Sequence, residues 1–309
     1  MPAQLLVTGG AGFIGSHLVR LLLDEGYAVR VLDNLSYGNR DWLDPRATFL
    51  EGDVQDIATC HSAMRDVQGV FHMAAMSRSA ASLDSIELCT NVNVVGTQNV
   101  LLAAREAKVE KVVYSGSSTY YGSRPVPHTE GDPGDFLNFY GLSKYVGEEY
   151  CLLFDRLYNL PTVVLRYFNV YGPRQPEVGA YALVLGVFLR QAQRGQTLEI
   201  HGDGSQRRDF VHVEDVARAN LAAFRSPERG QVFNIGSGES VSIQELADLI
   251  SSQQVRGPRR VADSTETLAS LTKTRSRLGW EPQVPFATGL ADLQARMSKS
   301  AADESAALA

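Results

Sequence analysis

Cysteine is scarce, with only Cys60, Cys89 and Cys151 in 309 residues. The number is odd, the three lie far apart, and none forms a Cys-x-x-Cys pair, which argues against both a disulfide framework and a zinc site. The six histidines show no ligand spacing either, so no metal is expected. Long apolar runs are missing as well, and none approaches the roughly 20 residues of a membrane span. At the start, Met1-Pro2-Ala3-Gln4 has no basic cluster, and the apolar run from Leu5 stops at Gly9, too early for a signal-peptide core. A cytoplasmic protein that does not bind membranes is the expectation. Positive charge is not in excess: the formal net charge is −6 and the sequence pI about 5.6. This argues against a general nucleic-acid binder and leaves room for a local arginine cluster to meet an anionic ligand.

What is present is an ordinary globular composition, 44% hydrophobic and 21% charged. The length suits about two domains, because single cores stop growing near 250–300 residues. Short aliphatic runs alternate with helical patterns. Leu5–Thr8, Ala28–Asp33, Val67–His72, Lys111–Ser115 and Thr162–Arg166 read as strands, and Phe13–Glu25, Glu87–Lys108 and Phe139–Tyr158 as helices. Such alternation predicts a doubly wound α/β fold, a parallel sheet covered on both faces. After about Gly172 the pattern loosens. Helices are expected at Val184–Arg194, Ser242–Ile250 and Pro285–Met297, and strands at Leu198–His201, Phe210–Val213 and Val232–Ile235. The expected organisation is a dinucleotide-type domain over 1–172, a smaller, partly interleaved substrate region over 173–298, and a frayed polar tail over 299–309.

Two clusters carry chemistry. The loop Val7-Thr8-Gly9-Gly10-Ala11-Gly12-Phe13-Ile14-Gly15 follows the first strand and opens a helix, whose N-terminal N–H groups suit a pyrophosphate. Asp33 ends the next strand about 20 residues on, where a carboxylate binds a ribose diol and repels a 2′-phosphate. Rossmann-type binding of NAD, rather than NADP, follows. The second cluster is Tyr140-Gly-Leu-Ser-Lys144. Its spacing puts a phenol and an ammonium on one helical face, about 5–6 Å apart at Cβ, so that the cation favours phenolate. A surface Tyr/Lys pair has the same spacing. What favours an acid/base role is Ser117-Ser118-Thr119, expected at the carboxyl end of the sheet, where ligands of such folds bind.

In order along the chain stand the glycine loop, Asp33-Asn34-Leu35, Gly52-Asp53-Val54, His72-Met73-Ala74-Ala75, Asn93-Val-Val-Gly-Thr97, Ser117, Tyr140-xxx-Lys144 and Arg166-Tyr-Phe-Asn169. Together they resemble the extended short-chain dehydrogenase/reductases, specifically the nucleotide-sugar epimerase/dehydratase family, over nearly the whole chain. The resemblance implies NAD contacts from Gly9, Gly12, Phe13, Ile14, Gly15, Asp33, Asn34, Gly38, Asp53, Val54, Ala74, Ala75, Asn93, Tyr140, Lys144 and Tyr167. It implies catalysis by Tyr140, Lys144, Ser117 and Thr119. Substrate contacts would come from Ser117, Ser118, Tyr140, Asn169, Arg208, Arg260, Asp263 and Thr267, and a homodimer would form through the helices at 87–108 and 139–158.

Within that family, dehydratase-like members carry acids where this chain has Ser118-Thr119. A base for a carbon-bound proton is therefore missing, which favours a reaction of hydride and hydroxyl proton, a 4-epimerisation. Arg208 in Gln206-Arg207-Arg208-Asp209-Phe210 matches a phosphate-binding arginine, and Arg260 with Asp263 matches a second such arginine and a ribose carboxylate of UDP-hexose 4-epimerases. Thr267 stands where hexose-restricted epimerases have a bulky Tyr, so UDP-N-acetylglucosamine joins UDP-glucose as an expected substrate. The Gly179-Ala180-Tyr181-Ala182 run resembles N-acetylhexosamine epimerases. Three departures stand out: Gly116 for Ser, Gly186 for Pro, and Arg78, which either receives a phosphate or sugar carboxylate or faces solvent. A UDP-glucuronate 4-epimerase and a 4-keto-sugar reductase remain as alternatives.

Overall fold

Valine and leucine fill the strands of one parallel sheet in the computed structural model, which describes residues 2–77, 79–177, 183–258 and 264–307. Such side chains pack well on a pleated surface covered on both faces. The first half runs β1 (Gln4–Thr8), α1 (Phe13–Asp24), β2 (Ala28–Asp33), β3 (Thr48–Glu51), α2 (Ile57–Ala63), β4 (Gly69–His72), α3 (Ser79–Asp84), α4 (Ile86–Thr90), α5 (Gly96–Ala107), β5 (Lys111–Ser117), α6 (Phe139–Tyr158) and β6 (Thr162–Tyr167). The second half runs β7 (Asn169–Tyr171), α7 (Val184–Gln193), β8 (Leu198–His201), β9 (Arg207–Arg208), β10 (Phe210–His212), α8 (Val213–Arg225), β11 (Gln231–Ile235), β12 (Val241–Ser242), α9 (Ile243–Ile250), β13 (Gln254–Gly257), α10 (Thr272–Leu278) and α11 (Phe286–Ala307).

The strand order β3-β2-β1-β4-β5-β6-β11 makes the doubly wound fold expected from the alternation. The order reverses between β1 and β4, and ligands of such sheets bind in the crevice outside that switch point. Strand β11 comes from beyond residue 172, yet pairs in parallel with β6 from Gln231↔Val163 to Ile235↔Tyr167. Two buried clusters sandwich the sheet, one including Leu18, Val19 and Leu22 of α1, the other Val100, Leu101 and Ala104 of α5. A third, around Leu185, Phe188, Ile200, Phe210 and Leu246, holds the remaining elements together.

Most expected elements appear within a residue or two of their anticipated ends, and α6 has the expected ends. Three differences bear on the site. β5 continues to Ser117, so that hydroxyl ends the strand itself. The helix expected over Glu87–Lys108 is interrupted by a wide π turn at Asn91–Val95. At the other end, α11 continues to Ala307, where alanine-rich sequence favours helix over the expected fraying. No helix among the described residues is long and apolar enough to cross a membrane.

A buried ion pair clamps α6 to the sheet. Arg166 on β6 donates to Glu148 through Nε at 3.0 Å and Nη2 at 2.6 Å, and both residues are only 3% exposed. Its Nη1 donates to the Tyr121 hydroxyl at 2.8 Å, and its guanidinium lies 3.6 Å from the Tyr120 ring centre. Gly116 fits beside this pair, since a Cβ there would meet Val164 Cγ1 at 3.0 Å and Arg166 Cγ at 3.3 Å. Removing one partner strands a buried charge. Glu148→Ala is expected to lower the unfolding free energy by about 3–5 kcal/mol in urea titration, and a Glu148→Ala/Arg166→Met double variant to lose less than Glu148→Ala alone.

Candidate active site

A cavity of about 840 Å³ opens at the carboxyl ends of the sheet strands. Its floor is the glycine turn. Gly9 has φ of +70°, and a Cβ there would lie 2.7 Å from Ala74 N, while one at Gly15 would lie 2.1 Å from Gly9 O. Both positions need glycine so that α1 starts close against the turn, leaving its first N–H groups facing the cavity. Gly12 precedes the helix in extended conformation, and Gly12, Phe13 and Ile14 line the floor with Gly9 and Gly15.

The carboxylate of Asp33 accepts from Ala11 N and Leu35 N, each at 2.9 Å. Burial raises its pKa, and those two N–H bonds oppose the rise. Leu35 takes a left-handed turn at φ 58°, and Gly38 brings the next loop onto Ala11, where a Cβ would stand 3.0 Å away. Asn34 donates to Asp53 Oδ2 at 2.7 Å. Asp33, Asn34, Gly38, Asp53 and Val54 all line this end of the cavity, a cradle suited to an adenosine with a free ribose diol.

Across the switch point, the loop after β4 supplies Ala74 and Ala75 to the wall. A directed hydrogen-bond chain supports it. Thr97 donates to Asn93 O at 2.7 Å, so its oxygen accepts from His72 Nε2 at 2.9 Å, and His72 Nδ1 accepts from the Thr8 hydroxyl at 2.7 Å. Thr8 then accepts from Met73 N and Ala74 N, both at 3.2 Å. Burial lowers His72 to about 3, with Lys144 adding to the effect, so the imidazole is neutral with its proton on Nε2.

The acid–base group gathers on the opposite wall. Asn138 caps α6 by accepting from Gly141 N at 2.9 Å, and the Tyr140 N–H donates to Ser82 Oγ at 3.1 Å. Ser117, Ser118, Thr119, Tyr140 and Lys144 all line the cavity, and the Ser117 and Thr119 hydroxyls are 2.8 Å apart. Lys144 is no surface residue: it is 4% exposed, with Nζ 4.2 Å from the Tyr114 ring centre. Burial lowers its ammonium to about 7, while the Cys151 and Cys89 thiols pull the other way. Tyr167 also lines the cavity, but its hydroxyl is held by Ser115 Oγ at 3.1 Å and Asn220 Oδ1 at 2.9 Å.

At the far end, Asn169 donates to Thr267 Oγ1 at 3.0 Å and to Asp209 O at 3.2 Å. Thr267 also accepts from Asp209 N at 3.2 Å. The buried Asp209 carboxylate gathers Ser237 N, Ser237 Oγ, Gly238 N and Ala269 N. Arg208 lines the cavity beside them, with one guanidinium N–H on Arg207 O at 2.8 Å.

One sequence expectation needs correcting: Asn93 does not line the cavity, because its side chain is spent on the backbone of Met76, which does. Arg260, Asp263, Arg78 and Gly179–Ala182 lie outside the described residues. Conversely, Gln206 lines the cavity. Its Nε2 donates to His201 O at 2.9 Å, while its buried Oε1 has no partner among the described residues. Gln206 sits two residues before Arg208, but only folding shows that it turns inward.

Comparison with known proteins follows the same geometry. The profile of the NAD dependent epimerase/dehydratase family matches residues 5–236. The UDP-glucose 4-epimerase of Mycolicibacterium smegmatis is 37% identical over 302 residues, covering 93% of this chain and 96% of the relative. The structure of Thermotoga maritima UDP-glucose 4-epimerase with UDP-glucose superposes at a TM-score of 0.93 with 36% identity, covering 96% of this chain and 99% of that one. A UDP-N-acetylglucosamine 4-epimerase from Methanobrevibacter ruminantium, in complex with UDP-N-acetylmuramic acid, superposes at 0.89 with 32% identity, covering 94% and 96%.

Burial of Lys144 has a stability consequence. With its pKa lowered from 10.5 to about 7, the unfolded chain holds more protons between those values, so this group raises stability as pH climbs through that window and weighs fully against folding below it. In the dinucleotide-free protein, Lys144→Met should melt higher than wild type below pH 7, with the gap closing toward pH 10. A gap independent of pH would contradict the assignment.

Proposed function

Because this chain belongs to the NAD dependent epimerase/dehydratase family, we propose that it is a cytoplasmic NAD-dependent isomerase that epimerises a UDP-hexose at C4 through a transient 4-keto sugar. The carrying observation is the make-up of the reacting end. Tyr140, Lys144, Ser117 and Thr119 share one cavity with the glycine turn, while the carboxylates among its described lining residues are Asp33, Asp53 and Glu199. None of those comes from β5 or α6, so no described carboxylate lining the cavity there is placed to take a carbon-bound proton.

In this reading the glycine turn holds the pyrophosphate of NAD and Asp33 its ribose diol. Bound NAD⁺ supplies the acceptor, and later the donor, of the C4 hydride. Tyr140, as phenolate beside the Lys144 cation, would take the proton of the 4-hydroxyl and return it to the C4 oxygen after the sugar has turned its opposite face to the cofactor. Ser117 and Thr119, in mutual hydrogen-bond contact, hold the oxygen at C4 or relay its proton. Arg208 grips the diphosphate as the pivot, and Arg260 and Asp263 join it at the nucleotide. Thr267 is small and anchored by Asn169 and Asp209, which supports acceptance of an N-acetyl group at the sugar. Among the described lining residues the lysine and arginine side chains are those of Lys144 and Arg208. With those engaged at Tyr140 and the diphosphate, a neutral sugar fits better than a glucuronate.

The protein is incubated separately with UDP-glucose, UDP-N-acetylglucosamine and UDP-glucuronate. C4 epimers of the first two are expected, without net NADH consumption. Epimer from glucuronate alone, or stoichiometric NADH oxidation, would favour the glucuronate epimerase or the reductase, and no epimer from any would sink the reading. Tyr140→Phe should keep bound NAD and lose at least about 10²-fold in kcat, the usual contribution of a positioned acid–base group.

A homodimer belongs to the same proposal. Leu83, Ile86 and Leu88 on α3 and α4, Val95 in the π turn, and Phe139 and Leu142 on α6 are each more than a third exposed. These elements pack beside one another, which gives an apolar face suited to a second copy. Leu142→Arg is expected to shift sedimentation of the dimer toward the monomer, whereas a wild-type monomer would refute the assembly.

A further inference from the structure

Lys144 is buried without a carboxylate against it, and the group beneath its ammonium is an aromatic ring. Tyr114 on β5 is fully buried, with its ring centre 4.2 Å from Lys144 Nζ. Its hydroxyl donates to the Lys144 carbonyl at 3.2 Å. One ring therefore meets both the charged head and the backbone of the same residue. Helix α6 makes room for it at Gly147, where a Cβ would overlap the Tyr114 hydroxyl. Tyr114 stands three residues before Ser117, so a single strand delivers a hydroxyl to the reacting end and a seat for the cation beside it.

The other titratable groups around this ammonium are engaged elsewhere or uncharged. Glu148, one turn further on α6, is spent on Arg166. His72 on β4 is neutral, since burial lowers it to about 3. On α6, burial keeps the Cys151 thiol well above its ordinary value, though Lys144 opposes the rise. On α4, Cys89 Sγ lies 3.3 Å from Ser143 Oγ, a hydroxyl that also accepts from Asn93 Nδ2 at 2.9 Å. Burial raises the Tyr114 phenol well above its usual range, with Cys151 and Tyr140 adding to the effect. The ring is thus a neutral phenol with a negative face, and attraction between such a face and a cation is strongest where water is excluded. An aliphatic side chain of the same size would bury Lys144 equally and offer it no attraction.

We infer that Tyr114 is a positioning residue for the acid–base pair, the face of its ring holding the Lys144 ammonium in place and keeping it protonated beside Tyr140. Its part in turnover rests on the epimerase reading; its hold on the cation does not.

The chain has five lysines, Lys108, Lys111, Lys144, Lys273 and Lys299. The Lys144 Cε signal in carbon-labelled protein is therefore identified by its loss in Lys144→Met. NAD-loaded wild type, Tyr114→Phe and Tyr114→Leu are titrated by NMR, with melting temperature, NAD content, and kcat and KM for UDP-glucose measured alongside. In Tyr114→Leu, Lys144 should lose its proton about one pH unit lower than in wild type, the size of a desolvated cation–π contact. Its kcat at neutral pH should fall about 10-fold with KM within about twofold. Tyr114→Phe keeps the face and loses the hydroxyl. It should recover the wild-type titration and most of kcat while melting lower, because a buried hydrogen bond is gone. A role in core packing alone would lower both melting temperatures and leave the titration unmoved, which would overturn the inference. So would a shift in Tyr114→Phe as large as that in Tyr114→Leu. Should Tyr114→Leu fail to fold, a trifluorinated phenylalanine at 114 decides, since it keeps the ring's shape and removes most of its negative face. Lys144 should then titrate lower than in Tyr114→Phe, and equal titrations would refute the role. Absence of wild-type turnover would count against the epimerase reading alone, and the lysine titration would still decide this one.

Discussion

Backbone packs directly on backbone where β1 and β4 end, and the cavity takes its shape from that contact. Gly9 stands so near Ala74 that a Cβ would lie 2.7 Å from its nitrogen. The approach is held by Thr8, whose hydroxyl gathers Met73 N and Ala74 N and passes its own hydrogen to His72. Because the imidazole is neutral and buried, the chain has one direction of donation, ending at Asn93 O. A fully satisfied buried network of this kind fixes geometry, whereas a half-satisfied one costs stability. The crevice where the sheet order reverses is thus made rigid by hydroxyls and one ring, with no net charge placed in the chain.

The acid–base wall follows a different logic. Lys144 is buried against Tyr114, and its ammonium has lost much of its usual preference for the proton. Desolvation that disfavours this cation also strengthens its field on anything beside it. A phenol four residues earlier on the same helix is the group placed to use that field in the proposed proton transfer. The clamp from Glu148 to Arg166 keeps α6 seated on β6 while this strained residue stays inside. Structural and proposed catalytic charges therefore lie on one helix, Lys144 and Glu148 one turn apart, with opposite outcomes: Glu148 is paired with an arginine, and Lys144 is left to an aromatic face.

Much of this was legible before folding. The short aliphatic runs and the helical patterns located the strands and the helix Phe139–Tyr158, because they report which faces must be buried. Glycine positions and Asp33 were legible because tight turns and helix starts restrict which residues fit. Less visible was the extension of β5 to Ser117, since Gly116 and Ser117 are weak strand formers that pair only because β6 lies alongside. The π turn was invisible for a related reason: Asn91–Val95 has no signal of its own, and the turn goes with partners at Met76 and Thr97.

Sequence by itself determined the doubly wound architecture, the dinucleotide turn and the Tyr140–Lys144 pair, all of which depend on spacing between near neighbours. Tertiary structure alone decided that Asn93 stands behind the wall, that Gln206 turns into the cavity, that Thr267 is anchored by Asn169 and Asp209, and that Lys144 titrates near neutrality. Those properties come from burial and from hydrogen-bond partners far away along the chain, Met76 and Ser143 around Asn93 being the plainest case. Desolvation and directed pairing exist only once such distant residues are brought within a few ångströms.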